Sequence, residues 1–183
     1  MTVSPSEATE ALRAIDAAQT RSARAYGYHS AAPHFFLWGP IWMIEYGGYY
    51  FDPRFGSVLS LLSIAGIAGS FWITRRAQGV PKPGFAWRYA ATAIAIGAFA
   101  SAYFAVFRPH SALEVGTFFP ILVGFAYLLM GVWMRALRMA VLGAALIALT
   151  LAGYFWFPAL FMLWMAIGGG GALLLGGFWF RSV

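Results

Sequence analysis

No cysteine occurs anywhere in the 183 residues. Disulfides, thiolate metal sites and thiol redox chemistry are therefore excluded. Charge is scarce as well: Asp, Glu, Lys and Arg make up 10% of the chain, against about 25% in an ordinary soluble domain. Acids are scarcest, six in all, too few to gather as ligands of a catalytic metal at one interface. The three histidines, His29, His34 and His110, all stand outside the deep apolar runs. An intramembrane serine protease, which needs a histidine at the depth of its serine, is disfavoured on that ground, although Ser60, Ser63, Ser70 and Ser101 are available. Opposed axial haem ligands are likewise lacking. There is no HExxH, no Gly-rich phosphate loop ahead of a helix and no Gly-x-Ser-x-Gly elbow. A membrane-embedded enzyme is thus the third-ranked class, and no catalytic residue, metal site or cofactor is expected.

What is present is apolar. Hydrophobic residues make up 61% of the chain and aromatics 19%, with a mean hydropathy of +0.72. A water-soluble fold of this length has no interior large enough to hide that surface, so lipid is the expected solvent. Residues 1–30 are polar and lack the apolar core of a signal peptide. Beyond them, six apolar segments follow: Phe35–Phe51, Gly56–Thr74, Trp87–Phe107, Leu113–Met134, Met139–Phe157 and Pro158–Phe180. At 1.5 Å per residue each reaches roughly 25–34 Å, enough to cross a bilayer core of roughly 30 Å. The expected fold is an all-α integral membrane protein with six transmembrane helices arranged as three hairpins. Residues 1–34 form an amphipathic cytoplasmic helix and lead-in, and residues 35–183 the transmembrane domain.

Basic residues set the orientation. Of the twelve, ten fall in the N-terminal region (Arg13, Arg21, Arg24), the second connector (Arg75, Arg76, Lys82, Arg88), the fourth (Arg135, Arg138) and the C-terminus (Arg181). Only Arg54 and Arg108 lie in the odd connectors. The positive-inside rule then places both termini in the cytoplasm of a bacterial-type inner membrane. The net charge of +6 is explained by topology and by anionic inner-leaflet lipid, and nucleic acid is not an expected partner. In the N-terminal helix, Ser4-Pro5-Ser6-Glu7 has the form of a capping box. Leu12, Ile15, Ala18, Ser22 and Tyr26 give it one narrow apolar stripe. That stripe suits a helix on the membrane surface or against the protein's own loops, and alternatively one that binds a partner.

Small residues recur at helical spacing. Ser70-Phe71-Trp72, Gly131-Val132-Trp133 and Gly177-Phe178-Trp179 each end an even segment, with a basic residue close behind. Seven positions before each small residue stands another: Ser63, Gly124 and Gly170. Seven residues return to the same helix face, so each even helix offers a groove for close packing. Internal repetition and the ordinary habit of interfacial Trp-then-Arg both account for the pattern. Further ladders are Ala65-Gly69, Ala93-Gly97-Ser101 and Gly168-Ala172-Gly176. Gly97, Ser101, Gly168, Ala172 and Gly176 are accordingly expected at packing faces. The run Gly168–Gly171 suits close helix crossing, a bend or a broken helix lining a cavity.

Glu45 is the only acid well inside an apolar segment. A buried acid costs a few kcal/mol on insertion and calls for a partner or a role. Tyr49 lies one turn away, and Arg54 and Arg108 stand at the same end. Glu45, Tyr49 and Arg108 therefore form the first candidate polar or ligand site. The alternative is an acid buried between helices for structural reasons, or one reaching the outer surface. His110 and Glu114, four apart, form a weaker candidate with Arg54. Two ligands are too few for a metal, and helix capping is the simpler role.

A short basic cytoplasmic N-terminus followed by three aromatic-capped hairpins resembles the layout of small bacterial acid-resistance membrane proteins. No motif specific to that group is present, and no activity or functional residue is carried over. The first functional expectation is a non-enzymatic accessory, sensory or stress-related membrane protein acting through helix packing with itself or a partner. The lipid bilayer and a possible homo-oligomer or membrane-protein partner are its expected contacts. The second is a small transporter or channel using Glu45 and the glycine-rich last segment.

Overall fold

A computed structural model describes residues 5–77 and 85–182, and every regular element among them is helical. The helices are α1 (Pro5–Phe51), α2 (Gly56–Ala77), α3 (Phe85–Phe107), α4 (Ala112–Trp133), α5 (Leu137–Trp156) and α6 (Pro158–Arg181). A 3-10 turn, Pro53–Phe55, joins α1 to α2. Helix α6 opens with a 3-10 turn at Pro158–Leu160 and contains a π segment at Met165–Gly169. From α2 onward, helix ends fall within a few residues of those the apolar segments imply. Among the described residues four helices are long and apolar enough to cross a membrane: Ala90–Phe107 of α3, Ala112–Trp133, Leu137–Trp156 and Pro158–Arg181. Ser4 of the anticipated cap and Lys82 of the second connector lie outside the described residues.

The lead-in and the first apolar segment are a single helix of 47 residues that runs through Pro33 and Pro40 without a break. A proline removes one backbone hydrogen bond, but in apolar surroundings neighbouring helices and local adjustment compensate. Leu12, Ile15 and Tyr26, the apolar stripe of the early turns, are exposed.

The core lies where α1, α5 and α6 meet. Phe35, Phe161 and Phe180 are fully buried there, with Leu146, Met165 and Leu173. Phe35 and Phe180 meet edge-on at 4.9 Å between ring centroids, and Tyr28 meets Phe180 at the same distance. Edge-to-face pairs of this kind add about 1 kcal/mol beyond burial.

The three seven-residue pairs of small residues each face an odd helix. Gly124 and Gly131 of α4 lie on α5: a Cβ built on Gly124 would stand 2.9 Å from the Gly143 carbonyl oxygen, and one on Gly131 would strike the Ala140 backbone. Gly170 and Gly177 of α6 lie on α1, against Gly39 and Phe36. Ser63 and Ser70 of α2 lie on α1 through side-chain hydrogen bonds. The packing is therefore not that of three equivalent hairpins. Helix α4 packs mainly on α5 and α6 mainly on α1, while α3 stands apart. The reason is backbone proximity, which the glycines of α4 and α6 permit and the side chains of α3 do not use.

Helix α3 meets the remainder chiefly through a ring cluster in which Phe99, Tyr103 and Phe104 surround Phe118 of α4. Within Ala90–Phe107 only Ala100 is buried. Its ladder is uncovered: apart from its own helical turn, nothing among the described residues would come within 4 Å of a Cβ on Gly97, and Ala93 and Ser101 are exposed. Among the described residues no second helix is laid on the face of Gly97 and Ser101. On α6, Gly176 closes on Leu142, where a Cβ would stand 2.8 Å from Cδ2. Ala172 is half-buried against the core, and Gly168 makes only an ordinary contact with Leu149.

Candidate functional site

Polar side chains of α1 and α2 form one seam. Ser63 Oγ donates to Glu45 Oε1 at 2.8 Å, and Trp38 Nε1 donates to Ser70 Oγ at 2.9 Å. His34 Nε2 and Thr74 Oγ1 are 3.2 Å apart. Each step along α1, from 34 to 38 to 45, is matched by the same step back along α2, from 74 to 70 to 63. Steps of four and seven keep to one helix face, so a single antiparallel register produces all three bonds. Between them Gly66 is covered by the side chains of Trp38 and Ile41. The Thr74 hydroxyl donates to the Ser70 carbonyl at 2.9 Å. Burial pushes the His34 imidazole below its ordinary pKa.

Glu45 is half-buried, and Ser63 is its hydrogen-bond partner. Among the described residues no ion pair joins it to Arg54 or Arg108. Both arginines are exposed, and the Arg54 backbone N–H is taken by Asp52 Oδ1 at 2.9 Å. Arg108 closes α3 with a left-handed φ of 44°. Tyr49 packs against Gly56 at the turn into α2. The residue that reaches across the bundle is instead Tyr46, whose hydroxyl donates to the Gly116 carbonyl of α4 at 2.7 Å.

His110 and Glu114 are joined, but as a cap. Ser111 Oγ accepts the Glu114 N–H at 3.2 Å, and Glu114 Oε2 accepts the His110 N–H at 2.7 Å. Both bonds satisfy free backbone donors at the start of α4. Among the described residues no group of three or more His, Asp or Glu is placed to hold a metal ion. Glu45 likewise has no second acid or histidine in the seam at its level, so paired acid–base chemistry has no partner there.

Glu45 and the glycine run of α6 are on different sides of α1. Glu45 faces α2, whereas Gly39, Trp42 and Met43 face Gly169 and Gly170. The polar groups and the glycines that the sequence offers as one pathway are therefore separated by the body of α1.

At the His34 end, a cavity of about 530 Å³ lies between α1, the end of α2 and the α4–α5 turn. Sequence reading missed it, since its walls come from four helices and only their packing brings them together. The basic residues around that end are largely engaged. Arg138 donates to the Trp179 carbonyl and to Ser182 Oγ, with its guanidinium over the Trp179 ring at 5.3 Å. Arg76 lies over Trp72 at 4.5 Å and Arg181 over Phe36 at 4.7 Å.

No family model, curated protein or solved structure matches this chain. The functional reading therefore rests on its own geometry.

Proposed function

We propose that this is a six-crossing inner-membrane protein, both termini cytoplasmic, that acts non-enzymatically by lateral association with a second copy through α3. The observation that carries the reading is the contrast on α3: an apolar helix of membrane-spanning length with one buried residue and an open small-residue ladder centred on Gly97. Small residues allow close helix approach, which drives association where the hydrophobic effect is absent. Lipid alone would cover the face equally well, and this is the alternative the experiment must separate. In lipid nanodiscs, native mass spectrometry of the unaltered chain is expected to show a dimer or larger assembly. Gly97→Leu, which meets no neighbour within the chain, is expected to leave a folded monomer. A monomer before the substitution, or an assembly unchanged by it, would remove this reading.

The crossing count and orientation draw support from the basic residues and from aromatics at helix ends. Trp72, Trp133 and Trp179 are exposed at one end, and Phe51, Phe107 and Trp156 at the other, as two interfacial belts require. Because the chain has no cysteine, a single cysteine at Gln78 reports sidedness directly. It is expected to react only with reagents that reach the cytoplasm, and labelling from outside would overturn the orientation.

A second reading, a small transporter, is favoured by one observation: a half-buried Glu45 held by Ser63 inside the first crossing. It predicts that Glu45→Gln abolishes pH-dependent flux in proteoliposomes without unfolding the protein. The glycine run on the far side of α1 does not contribute to that pathway.

A further inference from the structure

We infer that the cavity at the proposed cytoplasmic end of α1, α2, α4 and α5 binds an anionic phospholipid. The inference rests on the topology proposed above for the level at which the cavity lies. Its volume, about 530 Å³, is that of a ligand site, roughly 300–1,000 Å³.

The interior dictates an apolar occupant. Met130 of α4, Met134 of the α4–α5 turn and Met139 of α5 line it, with Ala31 of α1. Flexible thioethers conform to a mobile chain better than branched side chains do. The serine and threonine hydroxyls that line the cavity already have partners. Thr74 Oγ1 lies 3.2 Å from His34 Nε2 and donates to the Ser70 carbonyl, and Ser30 Oγ donates to the Gly27 carbonyl at 3.0 Å.

The rim dictates the head. Arg135 lines the cavity, is exposed, and has no hydrogen bond, ion pair or ring contact from its guanidinium among the described residues. It stands in the α4–α5 turn with a left-handed φ of 51°. Arg76, Arg138 and Arg181, by contrast, are each held over an aromatic ring. Trp133, which also lines the cavity, is exposed beside Arg135 and marks the headgroup layer. An apolar body with an anionic head at that layer is the chemistry of an anionic phospholipid, and basic pockets between helices on the cytoplasmic side hold such headgroups.

The test uses the full chain in nanodiscs of equimolar phosphatidylglycerol and phosphatidylcholine, released gently for native mass spectrometry. The unaltered protein is expected to retain phosphatidylglycerol over phosphatidylcholine by about fivefold, the equivalent of ~1 kcal/mol for one cation near the membrane surface. Arg135→Gln is expected to abolish the preference while lipid is still retained, and Arg135→Lys to restore it. Gly27→Leu fills the cavity from a position where a Cβ meets nothing within 4 Å, so the fold is kept and the adduct falls to background. Thermal melts of each variant confirm folding. Equal retention of the two lipids by the unaltered chain, or an undiminished phosphatidylglycerol adduct in folded Gly27→Leu, would overturn the inference. The readout does not depend on orientation, so its failure is distinguishable from outside labelling at Gln78.

Discussion

Helices α3 and α4 have nearly the same length and apolarity, and both carry small residues at helical spacing. Yet α4 is locked and α3 is bare. Gly124 and Gly131 bring the α4 backbone onto α5, where Gly143 and Ala140 receive it. Gly97 of α3 faces open space, and Phe118 is the main tether. The difference teaches that a small-residue ladder confers the capacity for close packing, while a matching ladder on a partner helix decides whether it is used. Helix α5 supplies that match for α4. For α3 nothing among the described residues does, and a second copy is the proposed source.

The sharpest way to break this comparison is to place the same side chain on both helices. Gly143→Leu drives a Cβ to within 2.5 Å of the Gly124 carbonyl oxygen and into the Leu128 backbone. Backbone cannot yield as a side-chain tip can, so a loss of about 3 kcal/mol is expected, seen as a large drop in the melting temperature in detergent. Gly97→Leu should instead hold or raise the stability of the isolated chain, by up to about 1 kcal/mol from helix propensity. If both substitutions destabilise equally in the monomer, α3 is packed and the contrast is wrong.

A smaller effect is expected at the α1–α2 seam. Ser63→Ala removes the donor to Glu45 and should cost about 1 kcal/mol, in line with hydrogen bonds between membrane helices. Unchanged melting would mean that Glu45 finds water or another donor at no cost. The smallest effect is pH dependence at His34. Its pKa is lowered in the folded state, so its contribution is complete above the ordinary histidine value of about 6.5 and is lost as pH falls through the folded value. Melting temperature should therefore decline on acidification below that range, and His34→Gln should flatten the decline. A slope unaltered by that substitution would assign it to other groups.

The helices themselves were legible in the sequence, because apolar runs separated by charge and proline mark them with little ambiguity. So were the seven-residue pairs of small residues, whose common face follows from helix periodicity alone. The continuity of α1 was not legible: residues 1–34 and the apolar segment from Phe35 read as separate parts, and the structure joins them in one helix. Nor was the partner of Glu45. Proximity in sequence suggested Tyr49 and the outer arginines, whereas the antiparallel register with α2 chose Ser63. The openness of Ala93, Gly97 and Ser101 was equally hidden, since a ladder reads the same whether or not a helix lies on it. The cavity beside Arg135 depends on four elements at once and leaves no local signature.

The most direct test of the account is disulfide trapping in native membranes. The chain has no cysteine of its own, so one introduced thiol reports one position. Gly97→Cys on the open face of α3 is compared with Ala148→Cys, at an exposed position midway along α5. Mild oxidation is expected to give a covalent dimer through position 97 and little through position 148. Equal trapping at both positions, or none at 97, would contradict the claim that α3 is an association surface.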